Sequence, residues 1–421
     1  MPFLPSLLNR FAPIGSLWRD RDFMRVFQAN TLSVLGTAVT QMALPLTAVQ
    51  LLHASASDMG VLAACQLLPF VLGLPAGVWI DRSRKRRLAI GFDLFAALGL
   101  ALVPIGFAAG LLSLPLLWLV GAMVSTNEAI GGSALQVFIT NLVGRERLVL
   151  ANSKLSAAAS ASMVIGPALA AALVALVGAP LAITADAASF LVSAWLIWRI
   201  RSDEAVNTDA QRASVLAEVW EGLRLIWRTP MLRGLVWVVA VWIPLNDSFK
   251  ALYVLHAARN LQLDASDIAL INALGAIGGL VGAALAHRME RRLGIRGTLV
   301  CGVILGGCGY ALYALPSAHM AHANWAAGLA LMVMDCGAAM YVVNYLSLRQ
   351  AVTPDALLGR MVTSMRFLTI ALAPLGTILI GHAGDAFGLV PIFAGIGATC
   401  VLLGFAAWRW LPSAVPSTSP H

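Results

Sequence analysis

Apolar residues along this chain come in long runs interrupted by short polar links, not in the period-two rhythm of half-buried strands. A helix rises 1.5 Å per residue, so about 20 apolar residues cross roughly 30 Å of hydrocarbon. By that measure the pattern predicts twelve spans, approximately at 27–51, 59–80, 88–110, 114–142, 150–177, 180–199, 233–255, 265–287, 297–316, 325–348, 362–383 and 387–411. Most links are too short for anything but antiparallel neighbours. The expected fold class is therefore an all-α polytopic membrane protein with twelve transmembrane helices.

One link is long. Residues 200–232 begin polar, at Arg201-Ser202-Asp203-Glu204, and turn amphipathic after Ser214, a residue suited to cap a helix. Val215, Leu216, Val219, Trp220, Leu223, Ile226 and Trp227 fall on one face, with Glu218, Glu221, Arg224 and Arg228 opposite. This is the pattern of a helix lying among headgroups, or of a site for a regulatory partner.

Composition narrows the classes. The 421 residues are 59% hydrophobic and 11% charged, against about 25% charged in soluble proteins, which excludes a soluble enzyme with a polar shell. The net charge of +8 would suit nucleic acid if it were gathered on one surface. Instead, all but Lys250 and Arg259 of the Lys and Arg residues fall in or beside every second link, as at Arg82, Arg84, Lys85, Arg86 and Arg87. That bias places those links, and both termini, in the cytoplasm, and the chain in the inner or plasma membrane. Lipid is the expected environment and nucleic acid is not a partner. Five cysteines sit within apolar runs without a CxxC, and the His residues are scattered apart from His319 and His322 in an outer link. No metal or cofactor site is expected. There is no phosphate-binding GxxxxGK[ST] for ATP-driven work, and no short apolar core with a cleavage site at the N-terminus.

The chain also repeats itself weakly at an offset of 206 to 207 residues. Gly77-Val78-Trp79-Ile80-Asp81-Arg82 after span two answers Ala283-Ala284-Leu285-Ala286-His287-Arg288 after span eight. Gly73 matches Gly279, and Gly166-Pro167 matches Ala373-Pro374. The domain reading is two six-span halves, 1–199 and 233–421, joined by the linker 200–232, with a substrate path between halves. Gly73 and Gly77 share one face of span two, and Gly275, Gly279 and Gly282 are expected to form a similar stripe on span eight, for static packing or for sliding.

These residues carry a resemblance. Twelve spans in a 6+6 repeat, with Gly77-x-x-x-Asp81-Arg82-x-x-Lys85-Arg86 after span two, resemble the major facilitator superfamily. Asp186-Ala187-Ala188-Ser189-Phe190, Glu221-Gly222-Leu223-Arg224-x-x-Trp227-Arg228, and Leu348-Arg349-Gln350 followed by Pro354 and Gly359-Arg360 are similar to its drug:proton antiporter-3 branch. That branch includes macrolide-efflux and enterobactin-exporting proteins. The resemblance implies a monomeric exporter of a small amphipathic drug or siderophore, driven by the proton gradient. It implies that Asp81 closes the cytoplasmic side with Arg residues and the start of span eleven, where Arg360 lies, unless Asp81 is only a solvated acid. Gly166-Pro167 would be the span-five motif that suppresses leak. Two departures stand out: Arg84 replaces the usual central Gly of the loop signature, and Ala170-Ala171 replace further Gly in span five.

Charges inside the spans are the candidate chemistry, since a carboxylate at mid-bilayer costs about 2.5–3.5 kcal/mol and calls for a cavity or partner. Glu128 and Asp335 fall near the middle of spans four and ten, 207 positions apart, the same as the repeat offset. Related helices would therefore present them across a central cavity, to couple protons, to contact a cationic substrate, or as structural acids bonded to neighbours such as Asn127. Asp247 and Lys250 share a helical face as a candidate pair; Asp93 could hold Arg86 or another loop residue, Arg366 could snorkel or pair with an acid, and these, with Asp186, read as mainly structural. Asn30, Gln41, Asn246, Asn272, Tyr341, Asn344, Trp237 and Trp242 suit either a cavity for an amphipathic ligand or glue between helices. A membrane-embedded enzyme and a sensor that binds without transporting are the competing classes.

Overall fold

The computed structural model describes residues 17–201, 215–354 and 357–412; within them the side chains of 72–78, 81, 82, 145 and 215–219 are not described. Every regular element among the described residues is helical. A short turn at Leu17–Arg19 precedes α1 (Arg21–Gln50), α2 (Ala56–Arg82) and α3 (Lys85–Ala108). The fourth span is α4 (Leu114–Thr126) and α5 (Gly132–Val143), joined by a π-helical turn at Asn127–Gly131. Then come α6 (Leu148–Val177), α7 (Ala179–Trp198) and the amphipathic α8 (Val215–Arg228). The remainder is α9 (Pro230–Leu255), a second π turn at His256–Asn260, α10 (Ala265–Leu312), α11 (Ala323–Ala351), α12 (Leu358–Ile370), α13 (Ala373–Phe387) and α14 (Leu389–Trp410).

Ten helices among the described residues are long and apolar enough to cross a bilayer. One of them, α10, has 48 residues and would be about 72 Å long if straight. It is not straight: Gly294, at φ +69°, breaks it into two spans, a conformation a side chain would resist. With α2, whose apolar stretch is Ala56–Val71, the crossings number twelve, as the hydropathy pattern predicts. Gly178 between α6 and α7 and Gly388 between α13 and α14 have nearly the same backbone, φ +82° with ψ 158° and φ +84° with ψ 162°. Asp264 starts α10 by accepting from the backbone N–H of Asp267 at 2.9 Å, as a helix cap should.

The contacts divide the chain into two compact units. One comprises the residues through Leu44 and Pro75–Gln211; the other comprises Pro45–Leu74 and everything from Arg212. In the first unit α3 packs along α7. The C-terminal carbonyls of α7, left without helical partners, are met by cations: Arg86 donates to Ile197 O at 3.1 Å and to Trp198 O, and Arg25 to Arg199 O at 2.8 Å. Positive charge at a helix C-terminus also suits the macrodipole.

The second unit is built around α11, flanked by both arms of α10. Lipid tails are as apolar as leucine, so association must come from close contact between small residues. A Cβ on Gly278 would lie 2.1 Å from Met332 O, and one on Gly282 2.1 Å from Cys336 O. Gly279, expected in this stripe, has nothing within 4 Å. The packing face of span eight is therefore 275–278–282, and it rests on α11 of the same unit; helical rotation of about 100° per residue puts 279 elsewhere. An apolar core of Ile226, Leu235, Val239, Leu299, Val303, Leu348, Met361 and Met365 ties α8 to the start of α12.

Candidate functional site

In the first unit three α7 residues, Asp186, Ser189 and Ser193, form a polar stripe spaced i, i+3 and i+7 on an otherwise apolar helix. Asp186 is wholly buried; it accepts from Thr40 Oγ1 of α1 and from Ser189 Oγ at 3.1 Å. It lies flush on Gly36, where a Cβ would be 2.4 Å from its Oδ1. Ser193 Oγ donates to Asp93 Oδ2 at 2.7 Å, and Asn127 Nδ2 to Asp93 Oδ1 at 3.5 Å. Of the partners expected for Asp93, Arg86 or another loop residue, neither is its donor here: Asp93 accepts from the neutral Ser193 and Asn127, and Arg86 donates to the carbonyls ending α7.

Asn127 is the first residue of the π turn. Such a turn inserts one residue and shifts the register of the helix beyond it. Asn127 is buried on α3, with Gly131 leaving room for its amide: a Cβ there would be 2.2 Å from Asn127 Oδ1 and 2.8 Å from Phe92 Cβ. Glu128, the next residue, is exposed. Gly166, half of the span-five motif, packs on α1, with Ala38 Cβ 2.6 Å from where its own Cβ would be, and Pro167 lies inside α6. Asn30 is half-buried and Gln41 exposed on α1.

The second unit gathers its polar residues from α9, both arms of α10 and α11. Asn246 is the hub: its Oδ1 accepts from Tyr310 OH at 2.9 Å and its Nδ2 donates to Asp247 Oδ1 at 3.2 Å. Tyr253 OH donates to Asn272 Oδ1 at 3.1 Å. The Asp335 carboxyl lies over Gly275, where a Cβ would be 2.6 Å from Oδ2. Lys250 interacts electrostatically with both Asp247 and Asp335. None of the ion pairs among the described residues joins Lys250 to either acid, so the expected Asp247–Lys250 pair is a through-space attraction rather than a bridge. Tyr341 and Asn344, read as cavity candidates, are packed inside. Tyr341 is 1% exposed, stacked on Tyr345 at 5.8 Å, and Asn344 spends its amide on Met340 O at 2.8 Å. The i−4 carbonyl meets the Asn344 amide N–H, whereas the buried Tyr341 hydroxyl has no hydrogen-bond partner among the described residues.

Of the loop signature after span two, Gly73, Gly77, Asp81 and Arg82 have side chains outside the described ones, though all lie on α2. Lys85 opens α3 and is buried. Arg360 at the start of α12 is bridged to Glu221 of α8. Gly222 permits this docking, since a Cβ there would be 2.5 Å from Arg360 O. Arg366 lies over the Phe70 ring at 5.5 Å. Helical periodicity alone puts Glu221 on a solvated face. It also passes over Thr40, Ser189 and Ser193, of which the two serines are marked by the i, i+3, i+7 spacing on α7.

Comparison with known proteins gives a consistent result. The family profile of the Major Facilitator Superfamily matches residues 26–374. The multidrug efflux pump Tap of Mycolicibacterium fortuitum is 28% identical over 390 residues, covering 88% of this chain and 91% of that protein. Among solved structures, a point variant of the nucleoside transporter NupG superposes with a TM-score of 0.77 at 11% identity, over 93% of this chain and all of the other. A bacterial homologue of the iron transporter ferroportin, in an inward-facing state, gives 0.71 at 18%, over 93% and 99%. At these identities the structural likeness speaks for the fold alone.

Proposed function

The chain belongs to the Major Facilitator Superfamily, which makes it a membrane transporter rather than an enzyme, and from that premise we propose that it exports a small amphipathic molecule by proton-coupled alternating access. In this reading the protein works as a monomer in the inner or plasma membrane, with both termini in the cytoplasm. The six-span halves 1–199 and 233–421 move against each other, joined by 200–232. Export is supported by kinship with a multidrug efflux pump over 88% of this chain and 91% of that protein.

The observation that carries proton coupling is the placement of two acids. Glu128 and Asp335 stand 207 positions apart, each in an apolar span and each placed by a local device. Within the π turn Asn127 is buried and Glu128 exposed; Gly275 makes room for Asp335. An ionised acid at mid-bilayer costs about 2.5–3.5 kcal/mol. A proton cancels that charge, and so does a cationic substrate, so the two compete for the same carboxyls. That competition is the basis of exchange: a proton entering from outside displaces the substrate towards release. Lys250 holds part of this role for Asp335 when neither is bound. Asp81 closes the opposite, cytoplasmic side in the alternate state by taking Arg360 from Glu221.

The test is transport by purified protein in proteoliposomes with a cationic fluorescent dye and an imposed pH gradient. Dye should move against the proton flow, and Glu128→Gln and Asp335→Asn should flatten the pH dependence. Wild-type pH dependence in both variants would remove coupling from these positions. Dye that binds without moving would make the protein a sensor. Dye that neither binds nor moves, with siderophore secretion lost in a deletion strain, would transfer the substrate to that class.

A further inference from the structure

The link between α1 and α2 is fastened to the end of α13 by bonds that the proton and substrate chemistry does not use. Helix α2 opens with backbone N–H groups that have no partner within the helix. The N–H of Ala56 donates to Asp385 Oδ1 at 2.8 Å and that of Ser57 to Asp385 Oδ2 at 3.0 Å. Asp385 comes from the last turn of α13, 329 residues beyond Ala56. The local acid, Asp58, is occupied with the backbone and hydroxyl of Ser55, both at 2.9 Å, so it does not substitute. Beside it, Arg259 Nη2 donates to Ala54 O at 2.9 Å.

The backbones beneath these bonds are in direct contact. A Cβ on Gly60 would be 2.4 Å from Thr377 O, and one on Gly381 would be 2.7 Å from Ala56 O. One on Gly384 would be 2.9 Å from Ala56 Cβ. Thr377 is 1% exposed. This packing is why Pro45–Leu74 groups with the second unit although it continues at both ends into the first. A carboxylate at a helix N-terminus gains from two charge-assisted bonds and from the helix dipole together. The contact is therefore polar, solvent-reachable at Asp385 and built on close-fitting glycine, which allows it to open and reclose without repacking large side chains.

We propose that Asp385 is a latch: it holds the α1–α2 end of the bundle shut, and it must let go of α2 each time that end opens. Asp385 is thus a positioning residue that touches no substrate. The proposal rests on the alternating-access reading, and on the orientation that puts this end outside the cell.

The experiment uses the full chain with its five native cysteines replaced. In one variant Ala56→Cys and Gly384→Cys are paired, their Cβ atoms close enough for a disulfide after a small adjustment. Oxidation should cross-link the two and stop dye export, and reduction should restore it. In the second, Thr377→Cys is exposed to an impermeant maleimide from outside. Labelling should be slow, and about tenfold faster when Asp385→Ala is added, with Asp385→Asn intermediate because one acceptor remains. A pair that does not cross-link, export that continues in the cross-linked protein, or labelling unmoved by Asp385→Ala overturns the latch. Reduced protein that exports nothing, while still folded in detergent, counts instead against the transporter reading.

Discussion

Adjacent glycines on span eight should respond with opposite signs when a methyl group is added. At Gly278 the new Cβ would be 2.1 Å from Met332 O and 2.7 Å from Met332 C and Cα. Those are backbone atoms and cannot rotate aside. To regain ordinary contact near 3.4 Å, α10 and α11 would have to part by about 1.3 Å. Overpacking of this kind costs about 1–3 kcal/mol, and a rigid neighbour argues for the upper end. Alanine returns about 0.5–1 kcal/mol by relieving glycine's entropy in a helix. The net for Gly278→Ala is thus about 2 kcal/mol of lost stability. At Gly279 the methyl meets nothing within 4 Å, so only the favourable part remains, about 0.5–1 kcal/mol gained. Gly282→Ala should behave like Gly278→Ala, and the double variant should cost less than the sum, because one separation of the helices relieves both. Equilibrium unfolding of purified protein in mixed detergent micelles measures all four. If Gly279→Ala is destabilised as much as Gly278→Ala, the register 275–278–282 is wrong, and α10 does not meet α11 through these glycines.

The bridge between Glu221 and Arg360 is partly exposed, so a double-mutant cycle in detergent should return only about 0.2–1 kcal/mol of coupling. The larger effect should be on transport: Asp81→Asn should cripple dye export with insertion intact, and normal export by that variant removes the exchange of Arg360 between partners. Asp264→Ala should cost about 1 kcal/mol by uncapping α10. The Ser266 hydroxyl and the Asp267 backbone N–H hold the Asp264 carboxyl below its ordinary range. Its contribution is therefore complete above that range and lost as pH falls through the lowered value; an acid-dependence identical in wild type and Asp264→Ala refutes the assignment.

Much of the architecture was legible because its causes are local or one-dimensional. Run length against bilayer thickness counted the spans, including the two arms of α10 that Gly294 separates. The site was legible only in part. Asp335 and Glu128 stood out as charges in apolar runs, but the π turn that separates Asn127 from Glu128 leaves no mark on hydropathy. Periodicity on an ideal helix also chose Gly279 over Gly278, since both lie within a turn of Gly275 and Gly282 and only the neighbour decides between them. For Arg86 the sequence offered Asp93 as a partner, and the carbonyls ending α7 became visible only once that helix end was placed beside it.

The amino-acid order by itself determined that this chain lives in lipid, how many times it crosses, and which links carry its positive charge, because transfer of each segment into hydrocarbon depends on that segment alone. Tertiary structure decided which glycine faces which backbone, that Asp93 is held by Ser193 and Asn127, that Tyr341 is core, and that Asp385 closes on α2. Those are pairings between segments far apart in sequence, and their free energies exist only once two helices stand within a few ångströms of each other.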